Sequence, residues 1–98
     1  MSYSISYQEK AVQEYEAATE WYRERSERAV ENFAIAVKEK VEVLKQAPTT
    51  FKRTYRHFHE VALKRYPYSL IYIIDEKNKQ VIISSIYHHK RSPRKKFR

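Results

Sequence analysis

The sequence of 98 residues contains no glycine and no cysteine. Loops that bind phosphate through backbone N–H groups need glycine for a close approach and for positive φ angles. A P-loop and a dinucleotide-binding loop are therefore excluded, and any phosphate would be bound by side chains or by helix N-termini. The lack of cysteine excludes disulfide bonds and thiolate metal sites, and it fits a reducing compartment.

Long apolar runs are absent as well. No run approaches the roughly 20 residues that a helix needs to span a bilayer. The N-terminal stretch MSYSISYQEK has no apolar region of the kind found in signal peptides. We therefore expect a cytoplasmic protein without a membrane partner. The length predicts a single domain over residues 1–98, and the polar stretch SPRKKFR indicates a basic C-terminal tail at about residues 92–98.

Acidic residues are few relative to basic ones. The chain has 12 Asp and Glu against 20 Lys and Arg, which gives a net charge of +8. This charge points to a polyanionic partner such as RNA or DNA, or to an acidic protein. The same charge would also keep a small protein soluble without any such partner, and charge alone does not separate these alternatives.

The first half of the chain has the pattern of a short strand followed by two helices. The stretch YSISY alternates apolar and polar side chains, as a half-buried strand does. Ser6 with Glu9 predicts a capping box for a first helix over residues 8–25. Ser26 predicts the start of a second helix, and Pro48 its end.

The second half changes to the period of strands. Residues 54–66, 68–75 and 80–89 are alternating or β-branched runs, and Asn78 is suited to the positive φ of the last turn. The sequence therefore predicts an α+β fold, with an N-terminal strand, a two-helix antiparallel hairpin and a three-stranded antiparallel meander.

Basic and aromatic side chains gather near the ends of the predicted strands. If the three C-terminal strands pair as a meander, these groups converge near one end of the sheet. Cations for phosphates and rings for stacking are what single-stranded RNA needs. The candidate nucleic-acid-binding cations are Lys52, Arg53, Arg56, Lys64, Lys90 and Arg94, and the interleaved rings are Tyr55, Tyr66 and Tyr87.

Histidine adds an option for catalysis, because imidazole gains and loses a proton near neutral pH. RNA carries its own nucleophile, the 2′-hydroxyl group, so an enzyme that cleaves it needs a base, an acid and cations for the phosphorane. The residue types that suit these roles without a metal are Arg65, Tyr87, His88, His89 and Arg91. Neighbouring strand residues face opposite ways, so at most one of the two adjacent histidines points into a given site.

A metal site is a weaker hypothesis. His57 and His59 share a face in the strand alternation, which would suit chelation. Four scattered histidines without cysteine or clustered carboxylates are a poor ligand set, however. We therefore expect neither a metal ion nor a cofactor.

Four stretches match the motifs of one protein family. WYRERSERAVENF is similar to the pattern W/Y-Y-x-x-x-S-x-x-x-A-x-x-F, and LKQAP to an L…P helix exit. LKRYPYSLIYII resembles L-x-R-F-P-Y-x-I-x-Y with Tyr66 in place of Phe, and IYHHKRSP resembles V-x-H-x-x-R-x-P. Together they cover nearly the whole chain in order. On these motifs the chain resembles the RelE/ParE superfamily of toxins from bacterial type II toxin–antitoxin systems, a family that includes plasmid stabilisation proteins.

The resemblance implies one fold with two different activities. RelE-like members cleave mRNA in the ribosomal A site without a metal, which would give catalytic roles to Arg65, Tyr87, Arg91 and either His88 or His89. ParE-like members lack that set and poison DNA gyrase, and the R-x-P-Y and H-x-x-R-x-P stretches look more like theirs. In that case Arg65 and His88 would be structural.

Either activity implies a cognate antitoxin as partner. Such partners wrap an acidic, partly disordered segment around the toxin, and a surface at +8 would attract it. We therefore expect a growth-inhibiting toxin of a toxin–antitoxin module, with DNA gyrase or ribosome-bound mRNA as its target. A non-toxic relative that only binds its antitoxin is the third alternative.

Overall fold

Two α-helices and five β-strands make up residues 2–97, the part of the chain that the computed structural model describes. The elements are β1 (Ser4–Tyr7), α1 (Glu9–Arg23), α2 (Glu27–Gln46), β2 (Arg53–Tyr55), β3 (Phe58–Ala62), β4 (Tyr68–Asp75) and β5 (Gln80–His88). Short 3-10 helices over Pro48–Thr50 and Pro93–Lys95 follow α2 and β5. The predicted α+β class and the order of strand, helical hairpin and C-terminal strands are confirmed. Arg98, the end of the predicted tail, lies outside the described residues.

The strands form one mixed sheet in the order β1-β5-β4-β3-β2. The pairs β5–β4, β4–β3 and β3–β2 are antiparallel, whereas β1 runs parallel to β5 with Ile5 opposite Val81. A parallel pair needs a long connection between its strands, and the helical hairpin together with β2, β3 and β4 supplies it. The last strand, β5, therefore lies inside the sheet, between the first strand and β4.

The predicted strand over residues 54–66 is a small hairpin of β2 and β3. Tyr55 lies opposite Phe58, and Arg56 in the turn between them has a left-handed backbone with a φ of 50°. This turn contains none of the glycine, asparagine or proline signals that usually mark one, so the side-chain alternation continues through it. His57 lies in the turn and His59 in β3, so the prediction that these histidines share a sheet face is wrong.

The two helices differ in how they begin. Ser26 caps α2 as predicted, because its hydroxyl oxygen accepts the N–H of Ala29 at 2.9 Å. The predicted capping box of Ser6 and Glu9 does not form, since Ser6 lies inside β1 and Gln8 precedes α1 without a side-chain cap. The pairing of β1 with β5 thus overrides the local cap signal.

Basic residues occupy the left-handed turn positions of this glycine-free chain. Among the described residues these positions belong to Arg56, Arg65 and Lys79, with φ angles of 50°, 69° and 50°. A residue with a Cβ pays roughly 1–2 kcal/mol in this conformation. Asn78, predicted to take the positive φ, instead donates its side-chain N–H to Asp75 at 2.8 Å, and the next residue adopts the left-handed backbone.

The hydrophobic core lies between the helical hairpin and one face of the sheet. Phe33 and Leu44 from α2 form one buried cluster with Leu70 and Tyr72 from β4. Each such side chain contributes roughly 1.5–3 kcal/mol by burial. The Tyr72 hydroxyl donates to the carbonyl of Pro48 at 2.6 Å, and burial raises the pKa of Tyr72 to about 12. Neither helix within residues 2–97 is long and apolar enough to cross a membrane.

Candidate functional site

The two histidines at the end of β5 lie on opposite sides of the sheet, as the strand alternation predicts. His88 is opposite Tyr68, and their rings meet edge to face with centroids 4.9 Å apart on the side where the helices pack. His89 lies on the other side, where its Nε2 is 2.8 Å from the Ser69 hydroxyl oxygen. The fold therefore prevents the two imidazoles from acting together in one site.

A hydrogen bond to the ring of His88 fixes its tautomer. Its Nδ1 accepts the backbone N–H of Lys90 at 3.0 Å, so the proton of the neutral ring is on Nε2. Burial lowers the pKa of His88, and the positive charges of His89, Lys90 and Arg91 lower it further. At neutral pH the ring is therefore a hydrogen-bond donor through Nε2, and its basic nitrogen is already occupied.

Tyr87 is buried and has a partner within the chain. Its side chain is almost completely covered, and its hydroxyl donates to the carbonyl oxygen of Arg91 at 2.5 Å. The ammonium group of Lys96 lies 5.3 Å from the centroid of its ring. The phenol proton, a candidate for acid catalysis, is thus used to close the turn after β5.

Arg91 is connected to α1 through Glu14, a residue that the sequence patterns did not single out. The Glu14 side chain is only 7% exposed. One of its oxygens accepts the Ser85 hydroxyl at 2.7 Å and the Ile86 N–H at 3.0 Å, and the other lies 3.5 Å from Nη1 of Arg91. This carboxylate therefore accepts hydrogen bonds from the edge of β5, at the point where β1 no longer pairs with that strand.

A signal for Glu14 is present in the sequence. Glu14 lies three residues after Ala11 and four residues before Ala18, and both alanines are buried. Residues at these spacings share one face of a helix, so Glu14 interrupts the apolar stripe of α1. An acidic residue on an apolar stripe indicates a buried carboxylate that has hydrogen-bond partners.

Arg65 lies apart from the histidines. It is in the turn between β3 and β4, and its exposed side chain lines a cleft of about 550 Å³ with Ile35 and Glu39 of α2. His88 and Arg91 line a different pocket, against α1. Arg65 therefore lies in a different cleft from His88 and Arg91, so the predicted catalytic residues do not share one site.

The predicted nucleic-acid-binding cations are also divided. Arg56 lies in the turn before β3 and Lys64 in the turn after it, so these two are at opposite ends of that strand. Lys52 and Arg53 are at the start of β2, whereas Lys90 and Arg94 follow β5. Because Tyr68 at the start of β4 pairs with the end of β5, Lys64 and Lys90 lie at the same end of the sheet, and Arg56 lies at the other end.

One basic surface, which we name the hairpin platform, is formed by Arg53, Tyr55, Arg56, Phe58 and Phe97. Nε of Arg56 donates to the Tyr55 hydroxyl at 3.0 Å, and the guanidinium lies 5.3 Å from the Tyr55 ring centroid. Phe97 stacks on Tyr55 at 4.9 Å and lies 5.3 Å from Phe58. Tyr55 is exposed, whereas Phe58 and Phe97 are half-buried. Rings beside cations are able to stack the bases of a single strand.

The predicted tail folds back over the sheet face that does not contact the helices. Nζ of Lys96 lies 2.8 Å from the Glu60 carboxylate on β3, and Phe97 adds to the hairpin platform. Both tail side chains are half-buried, so the tail is part of the fold and not only a charged extension. The sequence patterns did not single out Phe97 as a contact residue, although a lone aromatic side chain among cations is a signal for such a contact. Within residues 2–97 no three His, Asp or Glu side chains are arranged to hold a metal ion.

The sequence matches the family model of the ParE toxin of the type II toxin–antitoxin system parDE over residues 5–93. No curated protein matches the chain significantly. Solved structures of toxin–antitoxin systems have the same fold. A chain of the chromosomal ParDE system from P. aeruginosa is 22% identical, with 89% of this chain and 96% of that chain covered and a TM-score of 0.69.

Two structures from RelE systems are similar as well. A chain of the RelBE2 toxin–antitoxin complex from Mycobacterium tuberculosis is 20% identical, covering 90% of this chain and 99% of that chain with a TM-score of 0.62. The isolated E. coli RelE toxin is 21% identical, covering 94% of this chain and 89% of that chain with a TM-score of 0.60. At these identities the similarity establishes the shared fold.

Proposed function

The chain belongs to the ParE toxin family of type II toxin–antitoxin systems, and on this premise we propose that it inhibits growth by binding DNA gyrase and not by cleaving RNA. The RelE and ParE structures share its fold, so the fold does not choose between these targets. The choice rests on the surroundings of the candidate catalytic groups.

The observation that carries the proposal is that these groups already have partners within the protein. The Tyr87 hydroxyl donates to Arg91, and Nδ1 of His88 accepts the N–H of Lys90. Arg65 lies in another cleft. RNA cleavage needs a base and an acid within hydrogen-bond reach of the same phosphodiester, whereas a toxin that acts by binding a protein needs no such arrangement.

A cognate antitoxin is part of the proposal. An acidic segment that orders as it binds is the natural complement of a surface at +8. The similar P. aeruginosa chain comes from a toxin–antitoxin system, and the M. tuberculosis structure and one E. coli RelBE structure are toxin–antitoxin complexes. Expression of the matching acidic partner together with this chain is expected to restore growth.

A supercoiling assay tests the target directly. Purified toxin is added to DNA gyrase, ATP and relaxed plasmid, and we expect loss of supercoiling with accumulation of cleaved plasmid. The matched control is the toxin already bound to its antitoxin, which is expected to leave gyrase active. Undiminished supercoiling at saturating toxin, together with fragments of mRNA on toxin-treated ribosomes, would contradict the proposal.

Ribosome-dependent RNA cleavage is the second candidate, and the hairpin platform favours it. Its cations and rings are suited to a single strand, and His89 is exposed near the end of β5. Under this alternative, Arg53→Gln with Arg56→Gln abolishes toxicity, and translation stops before DNA synthesis. Harmless expression combined with tight antitoxin binding would instead identify a relative that has lost its toxicity.

A further inference from the structure

A pocket of about 330 Å³ lies between α1 and the neighbouring ends of β4 and β5. It is separate from the hairpin platform and from the cleft at Arg65. The lining residues are Ala17, Trp21, Tyr22, Pro67, Tyr68, His88 and Arg91. Its volume lies at the lower end of the range for small-molecule sites, which are concave, rich in apolar and aromatic groups and provided with a few polar groups.

Aromatic rings form most of the pocket wall. Trp21 meets Tyr22 edge to face at 4.9 Å, and Tyr68 meets His88 in the same way at 4.9 Å. Trp21 is 47% exposed although it is the largest apolar side chain of α1. The Arg25 guanidinium, 3.3 Å from the Trp21 ring centroid, helps to hold the indole in position. Rings held in this way provide stacking surfaces for a planar ligand.

The charged and imidazole groups of the pocket are donors. His88 carries its proton on Nε2, because Nδ1 accepts the N–H of Lys90. The Arg91 side chain is 48% exposed, and among the described residues its guanidinium has one long contact, 3.5 Å to Glu14, which leaves N–H donors available to a ligand. The lining residues that the structure describes include no acidic side chain. The ligand that fits must therefore present hydrogen-bond acceptors and negative charge beside a planar ring.

We propose that this pocket binds a nucleotide, with the base against Trp21 and Tyr68 and the phosphate at Arg91. The shared chemistry is a planar base joined to a phosphate, whether it belongs to a free nucleoside monophosphate or to the end of a single strand. A peptide also supplies a ring and a carboxylate, but a carboxylate carries one negative charge, whereas a phosphate monoester carries nearly two at neutral pH. The inference goes beyond the proposed gyrase target and is tested without gyrase.

Trp21 is the only tryptophan of the chain and lies in the pocket wall, so its fluorescence reports occupancy. The full-length toxin is titrated with AMP, GMP, CMP and UMP, with excitation at the red edge of the indole band. We expect a saturable change in emission. The matching nucleosides are expected to bind about tenfold more weakly, because they lack the charge-assisted bonds to Arg91.

Two variants test the location, each with a matched control. Ala17→Leu fills the pocket without changing its charge and is expected to weaken binding at least tenfold, whereas Gln13→Leu on the same helix leaves it unchanged. Arg91→Gln is expected to remove the preference for nucleotides over nucleosides, whereas Arg23→Gln, at an exposed cation of α1 outside the pocket lining, keeps it. Calorimetry repeats the measurement without the tryptophan signal, and melting curves verify that each variant is folded.

The source of the ligand follows from the same titration. A trinucleotide that binds much more tightly than a mononucleotide and is equally sensitive to Ala17→Leu indicates the end of a strand, and equal affinities indicate a free nucleotide. A linear, unsaturable signal overturns the inference, as does affinity that Ala17→Leu does not change. Tighter binding of a blocked Glu-Tyr dipeptide than of any nucleotide would also overturn it, in favour of a protein partner.

Discussion

Oε2 of Glu14 lies 3.5 Å from Nη1 of Arg91, which links the first helix to the segment that follows the last strand. The two side chains differ in exposure, at 7% for Glu14 and 48% for Arg91. Exposed ion pairs contribute little to stability. A buried carboxylate that accepts hydrogen bonds matters more, because its removal leaves buried donors without partners. Glu14 is therefore a buried acceptor on α1, and Arg91 is a partly exposed cation beside it.

The first prediction concerns this carboxylate. Glu14→Ala leaves the Ser85 hydroxyl and the Ile86 N–H without an acceptor, and we expect a loss of about 2–4 kcal/mol in the free energy of unfolding by urea. Glu14→Gln keeps an acceptor oxygen and is expected to lose about 1 kcal/mol. The exposed Glu16 on the same helix provides the control, since Glu16→Ala is expected to change stability by less than about 0.5 kcal/mol. Equal effects of the two alanine variants would disprove the role of Glu14.

The left-handed turn at Arg65 predicts a substitution that stabilises the protein. Glycine adopts this backbone without the Cβ penalty, so Arg65→Gly is expected to raise the free energy of unfolding by up to about 1 kcal/mol, after the greater freedom of glycine in the unfolded chain is subtracted. Lys64→Gly at the preceding residue is the matched control and is expected to destabilise. Thermal denaturation of both variants measures the difference. A lower melting temperature for Arg65→Gly would contradict the prediction that the backbone at Arg65 is strained.

The lowered pKa of His88 predicts a loss of stability in acid. Its pKa in the folded protein lies below the ordinary value of 6.5, so the unfolded chain binds this proton more readily. The contribution of His88 is therefore fully present above about pH 6.5 and declines as the pH falls from there towards the lower pKa of the folded protein. Urea unfolding at about pH 7.5 and pH 5.5 is expected to give a smaller decrease for His88→Gln than for the unaltered protein. The same decrease in both would refute the prediction, and His57→Gln in the exposed turn serves as the control.

The contact of Phe97 with β2 and β3 predicts that the tail stabilises the hairpin. Phe97→Ala removes the stacking on Tyr55 and the tilted ring contact with Phe58, and we expect a loss of about 1–2 kcal/mol in the free energy of unfolding. Hydrogen exchange is expected to quicken at the amides of β2 and β3 while those of β5 keep their protection. Phe97→Leu retains apolar area and is expected to lose less. Unchanged exchange in the hairpin would mean that the tail does not support it.

Substitution of the candidate catalytic groups tests the proposed mode of action. If the toxin acts by binding a protein, Arg65→Ala combined with His89→Ala is expected to inhibit growth as strongly as the unaltered toxin, because both residues are exposed. Induction of each toxin is followed by growth measurements, with equal protein levels established on blots. A hundredfold or greater gain in survival with a folded double variant would favour RNA cleavage.

Local patterns predicted much of this fold because they depend on neighbouring residues. The period change after Pro48 marked the transition from helices to strands, and alternation correctly separated His88 from His89. The turn at Arg56 was missed because an arginine in the left-handed conformation has no distinguishing sequence signal. The cap at Ser6 was wrong because strand pairing between distant segments decided its conformation. The site was harder still, since the position of Arg65 relative to the histidines depends on how α2 packs on the sheet.

The interior position of β5 has a consequence for biosynthesis. Because β1 pairs with residues 80–83, its partner emerges from the ribosome only after both helices and β2, β3 and β4 have been made. Contacts of such sequence separation make folding slower and delay it until late in synthesis. A nascent chain that stops before Gln80 lacks the strand that joins β1 to β4, so the sheet cannot close. Formation of the native sheet therefore waits for the synthesis of β5.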